Sequence, residues 1–308
     1  MITEPGVYEG ISAVDYHADP CPEPSLSASL IDRLLERSPA HARAAHPRFV
    51  TPETEDWKFN LGEAVHTMLL GGQPLCVIDE RSYQGKEARL ARDAALNDHQ
   101  LPILTHQLNR AETICDAIRT QIKLHPELNH VLDPPGLHEA TVLWREDLLG
   151  STGLWCRCRP DILFDREIWD LKITATAATP EVWGAGHAWR MGYPRRAAWY
   201  RRGLRKVMGV MPSYRFIVVE NEAPYALSHF ECSNEALDLG VKEVEAALEI
   251  WTRCMQSGDW PAYSTELQWI NPPVWAQYRS AEVLARHQFS THDEVQSPHV
   301  IEPWGFGV

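Results

Sequence analysis

Apolar residues recur at helical spacing over Thr105–Leu124, where Leu108, Ala111, Ile114, Cys115, Ile118 and Ile122 fall on one face. Shorter helices are predicted near 28–37, where Ser25-Leu-Ser-Ala-Ser29 offers hydroxyl caps, and from Ser38-Pro39 to about Ala45. Asn60 caps a helix Leu61–Leu70 that Gly71-Gly72 ends, and Lys86–Asn97 is helical too. Between these lie a Pro-containing loop over 47–58 and a short apolar strand at Leu75–Asp79. The pattern changes in the middle of the chain. His138–Glu146 alternates, with Ala140, Val142 and Trp144 on one side and Glu139, Thr141 and Leu143 on the other, which predicts one half-buried strand. Gly150 and Gly153 bracket a turn, and three strands follow at 154–158, 161–164 and 168–173, the last two joined by Asp165-Arg166-Glu167. Helices at 180–188 and 194–208, each with Pro near its first turn, strands at 214–220 and 226–232, and a helix at 234–256 complete the order. A Pro- and Trp-rich tail with one helix at 274–287 ends it. This is an α/β or α+β chain: a central mixed sheet covered by helices from both ends.

Its 308 residues, 44% of them hydrophobic, can bury a full core without disulfides or metals to hold it. No apolar run is long enough to span a membrane, and no basic-then-apolar leader opens the chain. Seven scattered cysteines read as reduced thiols, which predicts a cytoplasmic location. Net charge of −13 argues against nucleic acid, but the distribution reverses that reading. Between Val182 and Val219 stand eight basic residues and no acid, leaving 21 basic against 42 acidic residues elsewhere. The chain is an acidic body with one basic stripe.

The chemistry centres on Arg159-Pro160-Asp161 and, after eight intervening residues, Asp170-Leu171-Lys172. On a strand Asp170 and Lys172 share a face while Leu171 points to the core, and a hairpin folds Asp161 back beside Asp170. Paired carboxylates suit a hard cation such as Mg²⁺, and the lysine then has a phosphate or water to act on. The triplet alone means little, since Asp56-Trp57-Lys58 has the same form in a loop. What strengthens it is the Pro-Asp a hairpin away, Glu139 on the preceding strand and the basic stripe that follows. His66 is a further candidate, with Gly62 one turn before it leaving room for close approach. The P-loop, dinucleotide and Gly-x-Ser-x-Gly patterns do not occur.

In order along the chain come Leu26-Ser-Ala-Ser29, Ser38-Pro39-Ala40-His41, Leu61-Gly62…His66, Arg159-Pro160-Asp161, Asp170-Leu171-Lys172 and Gly192-Tyr193…Ala197-Ala198-Trp199-Tyr200. This ordered set resembles the RecB-like branch of the PD-(D/E)xK nucleases, most closely phage and prophage exonucleases of the RecE (exonuclease VIII) type, from about Tyr16 to Glu220. The resemblance implies a restriction-endonuclease-like core in a single nuclease domain over 1–308: a helical segment over 1–135 carrying His66, a catalytic sheet and basic helix over 136–256, and a tail from 257. It implies a divalent metal, Mg²⁺ with Mn²⁺ able to substitute, held by His66, Asp161, Asp170 and the Leu171 carbonyl, with Lys172 near the attacking water. It further implies 5′-to-3′ digestion of duplex DNA ends in recombination, alongside a single-strand annealing protein. A nicking or structure-selective endonuclease, and a catalytically silent binding module, are the alternatives. One departure stands out: Arg196 occupies the place where the family usually has Gln, one turn before Tyr200. Arginine still grips a phosphate but accepts no hydrogen bond. Cys156-x-Cys158 is too close for an iron–sulfur cluster of the kind some relatives carry, so none is expected. DNA contacts are expected from Arg195, Arg196, Tyr200, Arg201, Arg202 and Arg205, with Ser27 and Ser29 either capping their helix or holding a terminal phosphate as in lambda-type exonucleases. Because the body repels DNA, a ring of three or four subunits that turns the stripes inward is expected.

Overall fold

A computed structural model of the chain describes residues 1–50, 57–148 and 151–288. Half of the 47–58 loop, including Asp56, the turn at Gly150 and the end of the tail lie outside the described residues. The amino-terminal region contains β1 (Gly6–Tyr8), α1 (Ala13–His17), α2 (Ala28–Glu36), α3 (Pro39–Ala45) and α4 (Leu61–Leu70). After these come β2 (Leu75–Ile78), α5 (Lys86–Asn97), β3 (Leu101–Leu104) and the 20-residue α6 (Thr105–Leu124). The predicted helices here are present, and α4 is capped as expected, the Asn60 side chain accepting the amides of Gly62 and Glu63. β3, β1 and α1 are additions that the sequence pattern does not signal; β3 (Leu-Pro-Ile-Leu) pairs parallel to β2.

The central region follows with β4 (Leu137–His138), β5 (Thr141–Leu148), β6 (Ser151–Cys158), β7 (Ile162–Leu163) and β8 (Glu167–Thr174). A π-helix over Pro180–His187, α7 (Ala188–Arg190) and α8 (Tyr193–Met208) lead to β9 (Ser213–Glu220), β10 (Leu227–Glu231) and α9 (Asn234–Ser257). The predicted helix at 180–188 is thus wound with the wider π turn.

One predicted strand is corrected. The alternating stretch from His138 to Glu146 is broken at Glu139, whose φ of 54° is left-handed. β4 belongs to a five-stranded sheet of order β10-β9-β8-β7-β4, whereas β5 belongs to a three-stranded sheet of order β1-β5-β6. The chain leaves the larger sheet at Glu139 and returns to it at Arg159-Pro160, between β6 and β7. In the larger sheet β8 and β9 run parallel, Asp170 opposite Phe216, and the other pairs run antiparallel. The sheet is mixed, as expected, but it shares the core with a second, smaller one.

Both faces of the larger sheet are covered. Ile168, Tyr214, Phe216 and Val218 join one core with Trp144, Trp183, Trp199 and Trp251 from β5, the π-helix, α8 and α9. Trp169, Leu171, Ile217 and Val219 join a second core with residues of α4 and α6. The described residues fall into two compact units, the first ending at Ala262. Residues beyond Ser257 stay with the first unit as far as Ala262, since Trp260 packs edge-on against Trp251 at 5.0 Å. The second unit, from Tyr263, contains α10 (Val274–Gln288), the helix expected in the tail.

Candidate metal centre

The β7–β8 hairpin builds the site as its sequence predicts. Ile162 pairs with Trp169, so Asp161 lies one step on, beside Asp170. Asp161 Oδ2 accepts the Leu171 amide at 2.8 Å. Asp170 and Lys172 share the face of Ile168, while Leu171 enters the opposite core. α4 brings His66 over this hairpin, its Nε2 3.1 Å from Asp161 Oδ2 and its Nδ1 3.2 Å from Glu139 Oε1. The left-handed turn at Glu139, whose amide donates to the Asp161 carbonyl at 3.0 Å, aims that carboxylate at the imidazole.

His66, Glu139 and Asp161 each offer a ligating atom, all within 4.8 Å of one another. An imidazole with two carboxylates is a donor set that fits a divalent cation such as Mg²⁺ or Mn²⁺. Asp170 stands outside this trio. Its buried carboxylate accepts the Tyr214 hydroxyl and the Lys172 ammonium. Lys172 Nζ also lies 3.3 Å from the Leu171 carbonyl, so the two further ligands that the resemblance implies are gathered around the lysine. His66 and Glu139 of the trio open into a cleft of about 700 Å³ lined also by Gly62, Leu171 and Lys172.

Electrostatics follow from this crowding. Burial pushes the Asp161 carboxyl up, but the His66 and Lys172 charges with the Leu171 amide outweigh it and hold it well below the carboxylate range. Burial lowers Lys172 to about 8; Asp161 and Glu139 oppose the shift and Arg196 adds to it. Burial also disfavours charged His66, yet Asp161 and Glu139 prevail and raise its pKa.

The basic stripe does not act as a unit. Arg196 reaches the site: its guanidinium and the Lys172 ammonium lie 5.4 and 5.6 Å from the centroid of the Tyr193 ring. Arg195, one residue away on α8, turns inward and binds Asp32, Glu36 and Glu243, with its side chain 7% exposed. Its side chain thus ties α8 to α2 and α9 and is turned away from the surface where a DNA contact is expected. Arg202 is likewise committed, donating twice to the buried Glu146 of β5. Arg201 donates to the Pro212 carbonyl, and Arg205 is exposed. Tyr200 packs edge-on against Tyr214 and so backs the residue that holds Asp170, in place of a surface contact. Ser27 is buried at the start of α2 and makes no capping bond; its hydroxyl lies 3.2 Å from that of the exposed Ser29.

Sequence reasoning missed Tyr214 and the role of Arg159. Tyr214 is brought to Asp170 by parallel β8–β9 pairing, for which the sequence carries no local signal. Arg159 is visible in the motif, but only the structure shows its guanidinium on Glu139, the Ile11 carbonyl and Thr141.

A profile of the PDDEXK-like domain of unknown function (DUF3799) matches residues 27–272. No curated protein matches the chain. Among solved structures, a protein from Eubacterium rectale described as a "putative exonuclease" superposes with a TM-score of 0.54 at 11% identity, covering 89% of this chain and 96% of its own. SSO0001 follows at 10% identity, 62% and 83% coverage and a TM-score of 0.28, too low to bear on the fold. With the Pro-Asp hairpin, the Asp-x-Lys strand and the mixed sheet in place, and the profile spanning most of its length, the chain belongs to the PDDEXK-like family of unknown function, DUF3799.

Proposed function

We propose that the protein is a divalent-metal-dependent deoxyribonuclease acting on the ends of double-stranded DNA. The observation that carries this is the convergence of His66, Glu139 and Asp161 beside the cleft that Lys172 lines. A bound cation would supply the charge that polarises a scissile phosphate. The protein's own groups do the rest. His66 and Asp161 would hold the cation, Arg196 would grip a phosphate beside it, and Lys172, near 8, exchanges a proton close to neutral pH and can orient and deprotonate the attacking water. Asp170 and Tyr214 fix the position of that lysine.

An exonucleolytic, 5′-to-3′ mode of the RecE type, serving recombination beside an annealing protein, is favoured by the ordered motifs from Leu26 to Tyr200. The test is one assay. Linear duplex DNA should be degraded with Mg²⁺ and spared with EDTA, while covalently closed circles stay intact; their cleavage would favour the endonuclease alternative. Asp161→Ala and Asp170→Ala should each lose this activity with the fold retained. Full activity in either variant sinks the assignment.

A further inference from the structure

We infer that Arg159 and Glu139 form a positioning relay that fixes the His66 tautomer, presenting Nε2 as the metal donor and keeping Nδ1 protonated. The inference rests on the metal-centre reading above and adds the division of labour within it. His66 meets its two carboxylates through opposite ring nitrogens: Nδ1 faces Glu139 Oε1 at 3.2 Å and Nε2 faces Asp161 Oδ2 at 3.1 Å. A neutral imidazole carries one N–H and one lone pair, so only one of these nitrogens can bind a cation while the other donates.

The surroundings decide which. Glu139 is held on three sides. Its amide is tied to the Asp161 carbonyl, its backbone is fixed in the left-handed region, and its second oxygen, Oε2, is taken by the Arg159 guanidinium. Arg159 is itself anchored by the Ile11 carbonyl at 2.8 Å and by Thr141 Oγ1 at 3.3 Å, and lies over the Tyr16 ring. A carboxylate neutralised in this way is a fixed acceptor for a ring N–H. On the other side, Asp161 neighbours the Leu171 amide and Lys172, where the reacting groups gather. Carboxylate–histidine–metal chains of this design hold a ligating imidazole in one orientation, and loss of the outer carboxylate lowers metal affinity by about 10–100-fold.

The test uses the whole protein and ¹¹³Cd²⁺ as a diamagnetic probe, without DNA. In ¹⁵N-histidine-labelled protein, the His66 signals are identified by their loss in His66→Gln. The free neutral ring should be protonated at Nδ1, and cadmium should couple to Nε2. Glu139→Gln, whose amide can donate to Nδ1, should shift the ring toward the Nε2–H form and weaken Cd²⁺ binding about 10–100-fold in calorimetry. Arg159→Met should weaken it in the same direction. If that variant does not fold, Glu139→Gln decides alone. Coupling to Nδ1, a Glu139→Gln protein with unchanged tautomer and affinity, or no Cd²⁺ binding at all overturns the relay. If the coupling and the shift hold while no DNA is cleaved, the relay stands and the nuclease reading falls.

Discussion

At the scale of single residues, neighbouring arginines are sorted by which way they leave α8. Arg195 is enclosed by three carboxylates, whereas Arg196 lies over the Tyr193 ring that Lys172 also approaches, with one carboxylate, Asp32, 3.6 Å away. Arg195→Met removes the shared partner of Asp32, Glu36 and Glu243, which are themselves a quarter to half exposed, so thermal unfolding should show a loss of about 1–2 kcal/mol, short of the cost of a fully buried pair. DNA affinity of the folded fraction should be unchanged. Arg196→Glu should weaken DNA binding strongly in a filter or anisotropy titration, with some loss of stability because it sets a second carboxylate beside Asp32, while Arg196→Gln retains cleavage. Lys172→Met should lower turnover much more than DNA binding. The motif residues of the β7–β8 hairpin are legible in the sequence because the side-chain period of a strand and a short polar turn fix them locally. The arginine roles are not, because a run of basic residues looks alike on every helix face until the carboxylates of α2, α9 and β5 are placed around it.

At the scale of elements, α8 is pressed between its neighbours with no slack. A Cβ added at Gly240 of α9 would come within 2.5 Å of the Pro194 carbonyl oxygen, and one at Gly203 within 2.6 Å of the Trp144 ring. Gly240→Ala should therefore prise α9 from α8, costing about 1–3 kcal/mol of stability in chemical denaturation. The same helix is fastened to β5 by Glu146. Burial pushes its carboxyl up, but Arg202, Lys206 and the Trp144 indole outweigh this and leave its pKa below the ordinary 4.5. The unfolded chain therefore takes up this proton first as acid is added. The stabilisation is fully present above pH 4.5 and is lost as pH falls through the folded value. Glu146→Gln should be less stable at neutral pH and show a shallower loss of stability below pH 4.5 in acid titrations followed by circular dichroism. Most helices and strands here are readable from periodicity and caps. The division into two sheets is not, because Glu139 interrupts an alternation that itself runs on unbroken, and only a backbone angle marks the crossing.

At the scale of the whole molecule, the acidic body should confine DNA to the Arg196 side of the cleft. Binding should weaken steeply with salt, each neutralised phosphate adding about 0.9 to the log–log slope on duplex DNA. With Arg195 and Arg202 committed internally, the exposed Arg190 and Arg205, together with Arg196, should set that slope. A closed ring of three or four copies remains our proposal for how so acidic a protein holds a duplex, and light scattering that gives a monomer removes it. The two points where the chain passes between sheets, Glu139 and Arg159, are joined to each other by their own ion pair. The seam between the sheets and the orientation of the metal ligand therefore share a single fastening. Deuterium uptake should read the state of that fastening directly: metal loading should slow exchange together at the Glu139 and Leu171 amides, which are both pinned to Asp161. Arg159→Met should release both at once, so that the backbone at the seam becomes a gauge of whether the centre is filled.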